Sequence, residues 1–439
     1  MRFAARDVAA ATGGTVTGPD VMIDGATVDS RTVRQDQLFV PVVAERDGHD
    51  FVADALRAGA AAYLTQRPLD AGGTAIEVAD TLAALADLGR AARDRLPDRV
   101  VGITGSVGKT SVKDLCAAAL ATSARTAASA RSFNNELGVP LTLVGAPDDT
   151  EATVLELGSR GAGHIARLCA IGRPTVGVVT VVAPVHTETF GSIEGVAAAK
   201  GELVAALPST GTAVLNGSDD RVRAMASRTD ARVLLYGEGG DLVAEDVELD
   251  GELRPSFRLR SPWGDVDVRL AARGEHQVDN ALAAAGAALA CGAPLDAVAA
   301  GLATATLSPW RMQLDRTPSG ALVLNDAYNA NPTSTAAALR ALVALPARRR
   351  IAVLGTMAEL GDRSDDDHRT VAALAADLGI RVVAVAEPAY GTETVDTIDA
   401  ALAALGDLGD GDAVLVKGSR VAGLERLAEA LVSRSGPGA

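Results

Sequence analysis

Arg99-Val100-Val101-Gly102-Ile103-Thr104-Gly105-Ser106-Val107-Gly108-Lys109-Thr110-Ser111 is the stretch on which the fold turns. An apolar run suited to a buried strand leads into a glycine-rich turn. The turn opens a helix whose apolar residues Val112, Leu115, Cys116, Ala119 and Leu120 share one face. Strand, glycine loop, Gly-Lys-Thr and helix make a P-loop arrangement. Backbone N–H groups of Gly105, Ser106, Gly108 and Ser111 and the positive helix end hold phosphate there, Lys109 neutralises it, and the Thr110 hydroxyl suits Mg²⁺. The general pattern wants a glycine where Ile103 stands; the glycines here are Gly102 and Gly105, so the loop is shorter than in common kinases and GTPases.

At 439 residues the chain exceeds one ordinary core and suggests about three domains. A hydrophobic content of 48% allows large cores, built mostly from Ala, Val and Leu. The net charge of −15 argues against nucleic acid or an anionic membrane as partner, so a polyanionic ligand must be held by local sites. No long apolar segment follows Met1-Arg2-Phe3-Ala4-Ala5-Arg6-Asp7, and no apolar stretch is long enough to span a bilayer. Cys116, Cys169 and Cys291 are scattered, without metal-type spacing, and their odd number argues against a disulfide framework. A reduced, cytoplasmic enzyme is expected.

Upstream of the loop, residues 1–97 read as a small α/β unit. Its stretch Val28-Asp29-Ser30-Arg31 to Asp47-Gly48-His49-Asp50-Phe51 is either a polar loop or a set of ligand groups. Downstream, over 98–311, strands and helices alternate as in a parallel sheet covered on both faces. The strands are expected at 100–104, 152–157 and 176–182, with a β-rich insertion around 242–270. Functional groups collect at the carboxyl ends of such strands. Glu156 closes one strand and could help hold Mg²⁺, or be an ordinary solvated carboxylate. His186 follows the next and could bind a cation or be structural. Lys200 falls in the apolar stripe of a helix that Ser192 can cap, and there it either snorkels to the edge or is desolvated with a lowered pKa. A neutral buried lysine can add CO₂ and become a metal-binding carbamate. Leu307-Ser308-Pro309-Trp310-Arg311 reads as a hinge. Beyond it, 312–439 alternates again around strands at 322–324, 351–354, 382–385 and 413–416, a Rossmann-type α/β pattern without a dinucleotide fingerprint. Asp365-Asp366-Asp367 reads as a solvated helix start.

Taken together, these residues resemble the Mur ligase family, ATP-dependent amide-forming enzymes of peptidoglycan precursor synthesis. The resemblance rests on Thr104 to Thr110, Asn134-Asn135-Glu136-Leu137-Gly138-Val139-Pro140, His186 through Phe190-Gly191-Ser192, and Ala199-Lys200-Gly201-Glu202. It continues through Asp326-Ala327-Tyr328-Asn329-Ala330-Asn331-Pro332, Leu354-Gly355-Thr356-Met357-Ala358-Glu359-Leu360-Gly361 and Val416-Lys417-Gly418-Ser419-Arg420. The Tyr-Asn-Ala-Asn-Pro segment is that of the family's D-alanyl-D-alanine-adding branch. It argues against the diaminopimelate-adding and folylpolyglutamate-type branches, and intact Lys109, Glu156, His186 and Lys200 argue against a degenerate regulatory protein. Val181, Gln277 and the segment Ala44-Glu45-Arg46-Asp47 depart from the family pattern.

The resemblance implies an α/β protein of three domains: a UDP-sugar-binding unit, a central P-loop ATPase sheet and a Rossmann-like unit. It implies ATP and Mg²⁺ as cofactors, with Lys109 and Thr110 on the phosphates and Thr110, Glu156, His186 and carbamylated Lys200 around the metal. Asn280 would sit by the adenine, with Arg311 and Asp326 closing over the nucleotide. Ser30 and Arg31 would lie in the UDP-sugar site, Asn134 and Asn135 against the nucleotide-sugar peptide, and Tyr328, Asn329 and Asn331 on the dipeptide side. The implied substrates are UDP-N-acetylmuramoyl-tripeptide and D-alanyl-D-alanine, joined through an acyl phosphate by a monomeric enzyme.

Overall fold

The computed structural model describes residues 1–184 and 190–433. Strand Val100–Thr104 lies inside a six-stranded, wholly parallel sheet, buried along its whole length. A strand covered on both faces must be apolar throughout, hence the run before the P-loop. Its neighbours are Ala152–Glu156, followed outward by Thr126–Ala128, and on the other side Val176–Val179, Thr212–Asn216 and Arg232–Tyr236. The chain builds one side of the sheet, then crosses strand Val100–Thr104 to build the other. That reversal opens a crevice at the carboxyl ends of the strands, and the P-loop occupies it.

The expected strand at 176–182 ends at Val179. Beyond it the backbone serves the P-loop instead of the ladder. Thr180 Oγ1 donates to Val107 O at 2.5 Å, and Val181 O accepts the Ser106 N–H at 2.7 Å. The expected insertion is an antiparallel meander of Val243–Leu249, Pro255–Ser261 and Gly264–Arg269. It sends Phe257, Leu259 and Val268 into the core that also holds the alanine-rich helix Gln277–Ala290.

Residues 15–77 form a five-stranded sheet, parallel except at the edge where Thr15–Thr17 meets Thr74–Glu77. This unit shares a core with the central one. Helix Thr81–Asp94, capped by Asp80, lays Leu85, Leu88 and Ala92 against Val139, Leu143, Leu155 and Ile171. At Gly89 a Cβ would come within 2.6 Å of Pro140 Cβ, so glycine permits the close approach of the two units.

After the hinge, six strands in the order Gln313–Arg316, Leu322–Asn325, Asp412–Lys417, Arg349–Leu354, Arg381–Val385 and Glu393–Val395 form the C-terminal sheet, parallel but for its first strand. Helices cover both faces over two separate cores. In the acidic run, Asp365 and Asp366 are exposed, but Asp367 is buried and paired with Arg363 at 3.1 Å. Among the described residues no helix is long and apolar enough to cross a membrane.

Candidate active site

The P-loop is shaped by its neighbours across the sheet. Gly105 has φ 150°, and a Cβ there would stand 1.8 Å from Thr180 Oγ1. Gly108, with φ 86°, caps helix Lys109–Ala121, and a Cβ there would stand 2.5 Å from Asn280 Oδ1. Asn280 is in turn oriented by the departing residue Gln277, whose Oε1 accepts its amide at 2.9 Å. Lys109 Nζ donates to Gly105 O at 2.7 Å. Burial lowers its pKa from the ordinary lysine value; Glu156 opposes that shift and Arg311 adds to it.

Glu156, 1% exposed at the end of its strand, accepts from Asn134 Nδ2 at 2.8 Å through Oε1. Its Oε2 is buried with no hydrogen-bond partner among the described residues. A solvated carboxylate is thereby ruled out. Thr110 Oγ1 lies 3.1 Å from Ser132 Oγ on the same loop that carries Asn134 and Asn135. An orphaned carboxylate oxygen and a P-loop hydroxyl in one cleft fit a hard divalent cation. Among the described residues no three His, Cys, Asp or Glu side chains converge on a metal position. His186 lies outside the described residues.

Lys200 belongs to helix Ile193–Ala205, which Ser192 caps as expected, its Oγ accepting the Gly195 N–H at 3.1 Å. The side chain is 5% exposed and does not snorkel. Burial first, and then the charge of Lys109, hold its pKa well below the ordinary lysine range. Desolvation of this kind favours the neutral amine, the form that adds CO₂, and a carbamate there would bring oxygen donors to the cleft.

The opposite wall comes from the hinge and the C-terminal unit. Trp310 and Met312 both have positive φ, 60° and 51°, a strained pair that turns Arg311 inward. Arg311 Nη2 donates to Thr110 Oγ1 at 2.9 Å, and its guanidinium lies 4.4 Å from the centre of the Tyr328 ring. Asp326 accepts the Met312 N–H at 3.2 Å and is ion-paired with the buried Lys417, which also donates to Asn329 O at 2.9 Å. Asn331 caps helix Pro332–Ala344: its Oδ1 takes the Ser334 N–H at 2.9 Å while Ser334 Oγ returns the contact at 3.1 Å.

These residues line one cleft of about 530 Å³. It joins the P-loop residues 105, 106 and 108–111 with Asn134, Asn135, Glu156, Lys200, Asn280, Arg311, Asp326, Tyr328, Asn329 and Asn331. Ser30 and Arg31 lie outside it, on the turn Ser30–Thr32. There Arg31 hydrogen-bonds Asp29 and, with its backbone N–H, holds the Asp29 carboxyl down at about 2. His49 is committed to its own turn as well. Its Nε2 accepts the Gln66 N–H at 3.2 Å, which leaves Nδ1–H to donate to Asp47 at 2.6 Å.

Sequence reasoning missed Lys113 and Asp114. Lys113 is 3% exposed and donates to the carbonyls of Ser129 and Arg131 at 2.9 and 3.0 Å, while pairing with Asp114 at 2.6 Å. Asp114 accepts the Ser308 N–H at 2.7 Å. One step of the P-loop helix thus anchors both the Asn134 loop and the hinge. The signal was present: Lys113 sits at i+4 from Lys109 and i−3 from the buried Cys116.

Comparison with known proteins agrees with this geometry. Residues 103–288 match the Mur ligase middle domain, and residues 310–420 match the Mur ligase, glutamate ligase domain. The chain is 41% identical to the UDP-N-acetylmuramoyl-tripeptide–D-alanyl-D-alanine ligase of Mycobacterium tuberculosis, over 92% of this chain and 91% of that one. The Escherichia coli protein of the same name is 36% identical, over 95% and 96%. A crystal structure of MurF from Acinetobacter baumannii superposes with a TM-score of 0.90 at 30% identity, covering 99% of each chain. MurF ligase from Thermotoga maritima in complex with ADP gives 0.82 at 29% identity, covering 93% and 97%. On these matches, which span both sides of the cleft, the chain belongs to the Mur ligase family.

Proposed function

We propose that the chain is an ATP-dependent ligase that joins D-alanyl-D-alanine to the terminal carboxylate of UDP-N-acetylmuramoyl-tripeptide, giving the pentapeptide precursor of peptidoglycan. The observation that carries this reading is one cleft in which a phosphate loop and a desolvated lysine meet the Tyr328-Asn329-Ala330-Asn331-Pro332 turn. The relatives named for that reaction, matched over nearly their whole length, support it.

In this reading the tripeptide carboxylate takes the γ-phosphoryl group of ATP, and the acyl phosphate is then attacked by the dipeptide amine, releasing phosphate. Lys109 and the P-loop N–H groups hold the phosphates, and Arg311 and Asp326 close over the nucleotide beside Asn280. Thr110, Glu156, His186 and carbamylated Lys200 would hold Mg²⁺, which when bound neutralises phosphate charge. The orphaned Glu156 Oε2 supports that donor set. Asn134 and Asn135 face the nucleotide-sugar peptide, Tyr328, Asn329 and Asn331 the dipeptide, and Ser30 and Arg31 the uridine side. The division into units 1–97, 98–311 and 312–439, a monomeric state and a cytoplasmic location belong to the same proposal. With ATP and nucleophile on different units, closure assembles the site and excludes water.

The test is phosphate release from Mg·ATP with UDP-N-acetylmuramoyl-tripeptide, with and without D-alanyl-D-alanine. Release that needs both acceptors, with a pentapeptide product, is expected. Release with other amino acids but not the dipeptide would move the chain elsewhere in the family.

A further inference from the structure

Among the described residues, five carboxylates line the cleft: Glu136, Glu156, Asp279, Asp326 and Glu359. Glu156 is engaged by Asn134 on the P-loop side, and Asp326 by Lys417 and the hinge. Glu136 lies on the Asn134 loop beside His164, at 3.8 Å, and Asp279 stands in the first turn of helix Gln277–Ala290. Glu359 differs from these in its backbone. It comes from the C-terminal unit, is exposed to the cleft, and its charge reaches Lys109 across it.

Its backbone is held where a glutamate does not settle by itself, at φ 66°. The loop around it is clamped from several sides. Tyr390 OH donates to Gly355 O at 3.0 Å, and the Met357 N–H donates to His368 Nε2 at 3.0 Å. The Ala358 N–H donates to Ser419 Oγ at 2.9 Å, while Met357 and Leu360 are buried on either side. His368 carries its proton on Nδ1, which faces Ser364 O at 2.6 Å, so its other nitrogen is fixed as the acceptor. Strain sustained by this many contacts at a cleft wall points to a side chain that must be aimed.

Amide formation needs such a group. The dipeptide arrives as an ammonium ion, and the lone pair that attacks the acyl phosphate is freed only when a proton leaves. Resting on the function proposed above, we propose that Glu359 receives the amine of the incoming dipeptide and acts as its general base. The carboxylate takes one proton from the ammonium and the nitrogen lone pair forms the C–N bond. The C–O bond to phosphate then breaks with its electron pair, and a second nitrogen proton leaves with the phosphate.

The test is Glu359→Gln, assayed with the dipeptide and, separately, with hydroxylamine in its place. Hydroxylamine is neutral near pH 7 and captures acyl phosphates as hydroxamate without a base. Ligation should fall by about 100-fold or more, the lower end of general-base catalysis, while hydroxamate formation stays at the wild-type rate. Ligation by the variant should also climb as pH approaches the amine's own pKa of about 8. Glu359→Asp should recover part of the loss. Wild-type ligation by the Gln variant, or equal loss of hydroxamate and amide, overturns the proposal. Absence of hydroxamate from the wild-type protein overturns the ligase reading itself, and Glu359 with it.

Discussion

Lys200 owes its chemistry to position. The same side chain at the exposed position of Ala198 would be a solvated cation; on the inner stripe it loses water and faces a second lysine. Replacing it should separate stability from activity. Lys200→Ala is expected to lower ligation by about 100-fold or more, the scale of losing a fixed electrostatic group in an active site. The fold should melt no lower than wild type, because burying an amine opposes folding. Turnover and a thermal melt on one preparation check both halves; retained activity would sink the carbamate reading.

At the scale of helices and loops, two contacts invert what local rules suggest. Gly89 lies inside helix Thr81–Asp94, where alanine ordinarily stabilises by about 1 kcal/mol. Here the added methyl meets Pro140, including its Cα at 2.9 Å, so Gly89→Ala should destabilise by about 1–3 kcal/mol, the range for overpacking. Denaturant unfolding decides the sign. Lys113→Met keeps the apolar stem of the side chain but releases the carbonyls of Ser129 and Arg131. The loop carrying Asn134 then loses two hydrogen bonds to the phosphate helix and keeps the Thr110–Ser132 contact. The KM for the nucleotide-sugar peptide should rise by about tenfold, equivalent to about 1.4 kcal/mol, with ADP affinity little changed. An unchanged KM would show that the loop is held by other means.

Across the whole molecule, the hydrophobic cores do not follow the sheets one to one. The N-terminal unit and part of the central unit share a core that includes Cys169, while Cys116 and Cys291 lie in the central core. Burial pushes the Cys169 thiol up to about 12 and Cys291 to about 11, and raises Cys116 as well, so all three remain protonated and shielded at pH 8. A thiol-reactive dye should therefore label the native protein slowly, and Cys169 should become reactive in the same denaturant transition as Cys116 and Cys291. Earlier labelling of Cys169 alone would mean that the first unit detaches before the central sheet unfolds. Between the central and C-terminal units the described links include the Tyr328 N–H donating to Trp310 O at 3.3 Å, the Arg311 guanidinium over the Tyr328 ring, and Leu253, which packs into the C-terminal core.

Much of this molecule could be read from local pattern. Buried parallel strands must be apolar along their length, so Val100 to Thr104 and Ile351 to Leu354 announced themselves. A Gly-Lys-Thr turn before a helix has few other uses, and Lys200 in an apolar stripe marked itself as unusual. Local pattern could not say that the Lys200 side chain stays desolvated, that Glu156 keeps an orphaned oxygen, or that Asn331 caps a helix while lining the cleft. Nor could it show that Thr180 and Asn280 leave no room for a side chain at Gly105 and Gly108. Periodicity records which face of an element meets water, a property of neighbouring residues. Desolvation, orphaned atoms and close approach depend on groups far apart in the chain, and those meet only when the sheets and the hinge bring them together.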